Sequence, residues 1–99
     1  MSKESPRTYR VRSWRRRGID LTYDRYLEMI AEQGNRCAIC NRQSRNQALA
    51  VDHNHKTGQV RGLLCAYCNG KLLKYLRDSQ PLAIGLANYL NRWFNKETK

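Results

Sequence analysis

Apolar residues recur at helical spacing in three stretches of this chain and gather in two short runs around a polar turn. Tyr23, Tyr26, Leu27, Ile30 and Ala31 fall on one face of an α-helix and predict an amphipathic helix over 23–33. Thr22 stands where an N-cap belongs, and Asp24 lies in the first turn, where the helix dipole favours a carboxylate. Gly34 stands where the helix should stop. The stripe is expected to be core. Residues 48–53 and 59–64 read as short strands around the turn material His55-Lys56-Thr57-Gly58, which makes a hairpin. Residues 41–46 are polar and loop-like. Leu72, Leu73, Tyr75 and Leu76 predict a helix over about 66–77. Asp78-Ser79-Gln80-Pro81 breaks it, with Ser79 or Gln80 preceding a proline at or near the start of the next helix. Leu82, Leu86, Tyr89, Leu90 and Trp93 mark that last helix within 81–95. Its stripe suits either a dimer surface or a fold-back onto the core. Tyr67, Tyr75, Tyr89, Trp93 and Phe94 are expected in core or interface rather than as base-stacking platforms.

Composition narrows the class. The 99 residues suit one domain, and 40 % hydrophobic content is lean, where about 45–50 % is usual. Lys+Arg number 19 against Asp+Glu 8, a formal net charge of +11. Such an excess favours a polyanionic partner. The longest stretch free of charge, 79–91, is far short of the ~20 apolar residues of a membrane span. The first residues, Met1-Ser2-Lys3-Glu4-Ser5-Pro6-Arg7, lack the apolar segment of a secretory signal. Residues 1–18 carry seven basic side chains and one acidic one. They read as a basic arm, partly disordered until it meets nucleic acid through Arg15, Arg16 and Arg17 with Trp14 beside them; the alternative is a solvated tail.

Four cysteines form two pairs, Cys37-x-x-Cys40 and Cys65-x-x-Cys68, separated by twenty-four residues. Each pair lets two sulfurs reach one ion from the same side, and two pairs complete a tetrahedron of thiolates around Zn²⁺. Such a shell is closed, so the zinc is structural. Two disulfides and a redox motif are the alternatives. Both fit poorly, because nothing marks the chain for an oxidising compartment and two redox pairs in a small basic chain are unusual.

Both histidines lie between the pairs, in Val51-Asp52-His53-Asn54-His55. One reading is a polar hairpin tip. The other is phosphodiester hydrolysis, which needs a base for water, a hard oxygen ligand for a divalent cation and positive charge on the phosphate. Asp52 offers the oxygen and a neutral histidine the base.

Asp52-His53-Asn54-His55, then Thr57-Gly58-Gln59-Val60-Arg61-Gly62-Leu63-Leu64-Cys65 and Cys68-Asn69, inside paired cysteine knuckles, resemble the recombination endonuclease VII family over about 34–76. That family belongs to the HNH, ββα-metal or His-Me finger nucleases. The resemblance implies an α+β fold with a small zinc-stapled ββα-metal (HNH) nuclease core; with the flanking N- and C-terminal helices and the basic arm read above, the chain divides into an arm, 1–18, and a nuclease domain, 19–99. It implies a Mg²⁺-dependent DNA endonuclease, with Mn²⁺ able to substitute and branched DNA among the expected substrates. Asp52 and Asn69 would ligate Mg²⁺, His53 would be the general base, and His55 a further active-site histidine. Asn54 is assigned no chemistry. Arg61, Lys71 and Lys74 are candidate phosphate contacts, or else solvated surface charge. The resemblance also implies a phage or prophage protein acting in the cytoplasm of the host cell, and a homodimer through the last helix is in keeping with it. The rival function is a non-catalytic zinc-ribbon-like module that grips nucleic acid.

Overall fold

The computed structural model describes residues 6–44 and 47–97. The first five residues of the expected arm, Lys3 and Glu4 among them, and Arg45 and Asn46 of the expected loop lie outside the described residues. The chain builds a small α+β fold in which helices α1 (Pro6–Arg16) and α2 (Tyr23–Glu32) precede an antiparallel hairpin, β1 (Ala50–His53) and β2 (Val60–Leu64). A π-helical stretch, Cys68–Leu72, then runs into α3 (Leu73–Tyr75), and α4 (Gln80–Glu97) follows. No helix among the described residues is long and apolar enough to cross a membrane.

Residues 6–16 correct the reading of the arm. They are helical, and α1 packs on α2. Gly18, with φ 73°, lets the helix end in a Schellman turn, where Ile19 N–H donates to Trp14 C=O at 2.8 Å and Gly18 N–H to Arg15 C=O at 3.1 Å. Trp14 is buried, its ring 5.2 Å from that of Tyr26 and 6.5 Å from that of Tyr23. Arg7 and Arg10 lie over the Tyr23 and Tyr26 rings, and Arg10 donates to the Tyr26 hydroxyl at 3.0 Å. In both cases it is the guanidinium that faces the ring, a cation–π contact. Trp14→Ala is therefore expected to cost about 3–5 kcal/mol, checked by urea unfolding, where a solvated arm would give no change.

Helix α2 begins as expected, with Thr22 Oγ1 accepting from Arg25 N–H at 3.1 Å. It ends in the same kind of turn, Asn35 N–H donating to Ile30 C=O at 2.9 Å. Tyr26 and Met29 are its buried residues, whereas Leu27 is exposed. The core joins these to Trp14, Ile19, Leu49, Leu63, Leu64 and two of the cysteines, Cys37 and Cys68.

The hairpin is held on two sides. Leu63 faces Val51 across the ladder, yet its N–H and C=O point away from β1, where the Gln33 side-chain amide takes both: Oε1 accepts from Leu63 N–H at 3.0 Å and Nε2 donates to Leu63 C=O at 2.9 Å. At the turn, Asn54 Oδ1 accepts from Lys56 and Thr57 N–H at 2.8 and 3.2 Å. Asn54 thus has a structural task, an Asx turn. Gly58 C=O accepts from Asp20 N–H at 3.0 Å, which ties the turn to the α1–α2 loop. Gly58 has φ 79°, and a Cβ there would collide with the Gly18 carbonyl oxygen.

Helix α4 does not fold back on the core. Leu82, Leu86, Tyr89, Leu90 and Trp93 are all exposed. Tyr67, Tyr75 and Phe94 are exposed as well, so core placement is overturned for all five aromatics expected there or at an interface.

Candidate active site and metal centre

The four cysteine sulfurs lie within 4.8 Å of one another. Cys40 and Cys65 Sγ are 3.7 Å apart, too far for a disulfide at about 2.05 Å. Neighbouring sulfurs around a tetrahedral zinc with bonds of about 2.3 Å sit about 3.8 Å apart, so the spacing fits that ion. The first knuckle is anchored to the hairpin, since Ala38 N–H donates to Leu63 C=O at 3.0 Å. Backbone N–H groups of Ile39 and Cys68 point at Cys37 and Cys65 Sγ, both at 3.4 Å. Burial works to raise the Cys37 thiol, but the backbone of Cys40, Cys65 and Ile39 outweighs it and holds it at about 6. Burial pushes Cys68 well up, and its hydrogen-bonded thiol neighbours push it further. Cys37 thus gives up its proton readily, whereas Cys68 holds its own until a cation neutralises the charge. The cluster is positioned to hold a metal ion and fits structural zinc.

The second knuckle opens the helical segment that carries Asn69. The 66–77 region is helical only through Tyr75, and its first part is wider than an α-helix: Leu73 N–H reaches back five residues to Cys68 C=O. Such π turns insert one extra residue and recur at functional sites. Here the turn contains Asn69, which lines one open cleft of about 250 Å³ together with Asp52, His55, Arg61, Leu73, Lys74, Arg77 and Asp78.

Asp52 comes to this cleft from β1. The ladder is regular from Ala50↔Leu64 to Asp52↔Gly62, then steps to His53↔Val60. Arg61 is left without a ladder partner, and a bulge of this kind redirects a side chain. Its guanidinium grips Asp52 with both prongs, Nε to Oδ2 at 2.7 Å and Nη2 to Oδ1 at 3.0 Å, and its Nη1 donates to Asp78 Oδ2 at 2.9 Å. The pairing raises the Arg61 pKa and lowers that of Asp78. His53 and His55 rings are 4.5 Å apart. Burial first, then the charge of His55, holds His53 below the ordinary imidazole value, against a smaller opposing pull from Asp52. His53 is therefore neutral at pH 7.

The sequence of this chain matches the model of the recombination endonuclease VII family over residues 11–92. The chain belongs to that family. Its endonuclease VII region takes in most of α1 and most of α4, well beyond the 34–76 that the motifs alone suggest. Among curated proteins it resembles the Gene 59 protein of Mycobacterium phage D29, 41 % identical over 73 residues, which is 73 % of this chain and 44 % of that protein. The Gene 59 protein of Mycobacterium phage L5 is 49 % identical over 59 residues, 59 % of this chain and 36 % of that protein. The chain thus spans less than half the length of these relatives. No solved structure matches.

Of the residues singled out from sequence in this endonuclease VII chain, the cleft gathers Asp52, His55, Asn69, Arg61 and Lys74. His53 adjoins it through His55. Lys71 is exposed on the π turn but does not line the cleft, and Arg15, Arg16 and Arg17 are exposed at the end of α1. Sequence reasoning missed Arg77 and Asp78, which showed there only as the end of a helix and the start of the break after it. Both adopt positive φ, 54° at Arg77 and 55° at Asp78, a conformation unfavourable for residues other than glycine.

Proposed function

We propose that the chain is the zinc-stapled ββα-metal (HNH, His-Me finger) nuclease core of a Mg²⁺-dependent DNA endonuclease. The observation that carries this reading is the convergence of Asp52 and Asn69, from the hairpin and from the helix after the last cysteine, on one cleft lined by cationic side chains. A carboxylate and an amide oxygen are hard donors, which suits Mg²⁺ or Mn²⁺, as the four sulfurs suit zinc. When bound, the cation supplies charge stabilisation to the phosphate and to the leaving oxygen. His53, neutral at pH 7, takes the proton of the attacking water. His55 sits between His53 and the cleft and orients it or the phosphate. Lys74 and Arg61 attract the DNA backbone into the cleft, and Lys71, Arg15, Arg16 and Arg17, all exposed, are further contacts for the phosphates.

The expected result is nicking or cutting of plasmid DNA that requires Mg²⁺ or Mn²⁺ and is lost in Asn69→Ala. Supercoiled plasmid, linear duplex and a four-way junction, tested side by side, report the preferred DNA. Binding without cleavage under all these conditions would favour the rival, a zinc-ribbon-like binding module. Family membership also supports a phage origin and action in the cytoplasm of the host cell. The exposed stripe Leu82, Leu86, Tyr89, Leu90 and Trp93 supports a homodimer through α4, which sedimentation of wild type against Leu86→Lys checks.

A further inference from the structure

Asp52, which the proposed function needs as a cation ligand, is already engaged. Both its oxygens face the Arg61 guanidinium, at 2.7 and 3.0 Å, and its side chain is only 12 % exposed, so little water competes for it. A carboxylate gripped in this way has few lone pairs left for a dication, and the positive charge beside it repels one. The guanidinium fork that matches a carboxylate also matches a phosphate. Arg61 therefore faces two competing anions, Asp52 within the cleft and the DNA backbone that enters it.

Asp78 makes an exchange feasible. It holds the remaining Nη1 at 2.9 Å from a different element, the turn between α3 and α4, and it does so from a left-handed backbone at Arg77 and Asp78. Arg61 can leave Asp52 and still remain tethered in the cleft.

We propose that Arg61 is a latch: it covers Asp52 while the cleft is empty of DNA, and it uncovers Asp52 when a backbone phosphate takes over its guanidinium. Cation loading and DNA binding then reinforce each other, and by linkage each raises the affinity of the other by the same factor. This inference rests on Asp52 being a cation ligand, as proposed above. A pair that merely stapled the hairpin to the α3–α4 turn would lower stability when removed and would leave cation affinity no higher.

The test is a Mn²⁺ titration of the zinc-loaded full chain, read by electron paramagnetic resonance of the free ion. Arg61→Gln is expected to bind Mn²⁺ at least about threefold more tightly than wild type. Arg77→Gln removes the same charge from the same cleft and should gain clearly less. Arg61→Lys keeps the charge but loses the fork, and it too should gain; it serves alone if the glutamine variant does not fold. In a His53→Ala background, which preserves the DNA, a short duplex should tighten Mn²⁺ binding more when Arg61 is present than in Arg61→Gln. If Arg61→Gln gains no more than Arg77→Gln, or if the duplex acts equally on both, there is no latch. Asp52→Asn separates the two levels. If it binds Mn²⁺ as wild type does, the ligand assignment falls and the latch with it. If it loses the site while Arg61→Gln gains nothing, the latch alone falls.

Discussion

Stripping the metal from Cys37, Cys40, Cys65 and Cys68 should abolish cooperative folding and not merely activity. Two of these cysteines belong to the small buried core, and the hairpin between the knuckles has only two strands. A two-stranded hairpin is marginal by itself in water. A structural zinc contributes about 10–16 kcal/mol of apparent binding free energy, whereas a domain has a net stability of about 5–15 kcal/mol. Little is left once the ion is gone. Titration with a strong chelator should therefore collapse the far-UV circular dichroism and expose the buried Trp14 to water, seen as a red shift of its fluorescence, and added zinc should restore both. Cys68→Ser should behave like the chelated protein. A demetallated chain that still melts cooperatively within a few degrees of the loaded one would refute a structural role for the metal.

His53→Ala should lower the single-turnover cleavage rate by about 10²–10⁴-fold, the usual worth of a positioned general base. DNA affinity should hardly change, because the residue is neutral at pH 7 and the cations of the cleft are untouched. Burial and His55 keep the imidazole unprotonated, so the wild-type rate should not rise appreciably above neutral pH for want of a free base. Added imidazole should recover part of the activity of the variant and none of that of Asn69→Ala. An unaltered rate in His53→Ala would remove it from the proton transfer.

Much of this was readable along the chain, and the remainder was hidden for definite reasons. The Thr22 cap, the stop at Gly34, the hairpin and the cysteine pairs are local signals, decided by one or two residues with strong conformational or chemical preferences. The packing of α1 was not readable. Its apolar residues are sparse among arginines, and part of its packing on α2 is made by the guanidinium groups of Arg7 and Arg10 over aromatic rings, groups that composition counts only as charge. Truncation of residues 1–17, attractive as a way to test a detachable arm, would remove Trp14 from the core. The α2 stripe was right in phase but blurred in detail, with Met29 inside and Leu27 outside. In the candidate site, Asp52 is legible from its chemistry beside the histidines, His55 and Asn69 only from the family resemblance, and the three share a cleft. The grip of Arg61 on Asp52 depends on the bulge, and its hold on Asp78 on a strained turn seventeen residues away; neither has a pattern in sequence.

The Gln33 side chain has a consequence beyond tying α2 to the hairpin. A strand with a free outer edge invites a strand from another molecule, and that is a route to aggregation. At Leu63 the outer N–H and C=O are already satisfied by Gln33, and Ala38 adds a second donor to the same carbonyl. One side-chain amide thus does the work of a third strand, and at this point the sheet has no room to grow. A strand from a second copy cannot pair with β2 at Leu63. Loss of the amide, as in Gln33→Leu, would reopen that edge beside the first cysteine knuckle.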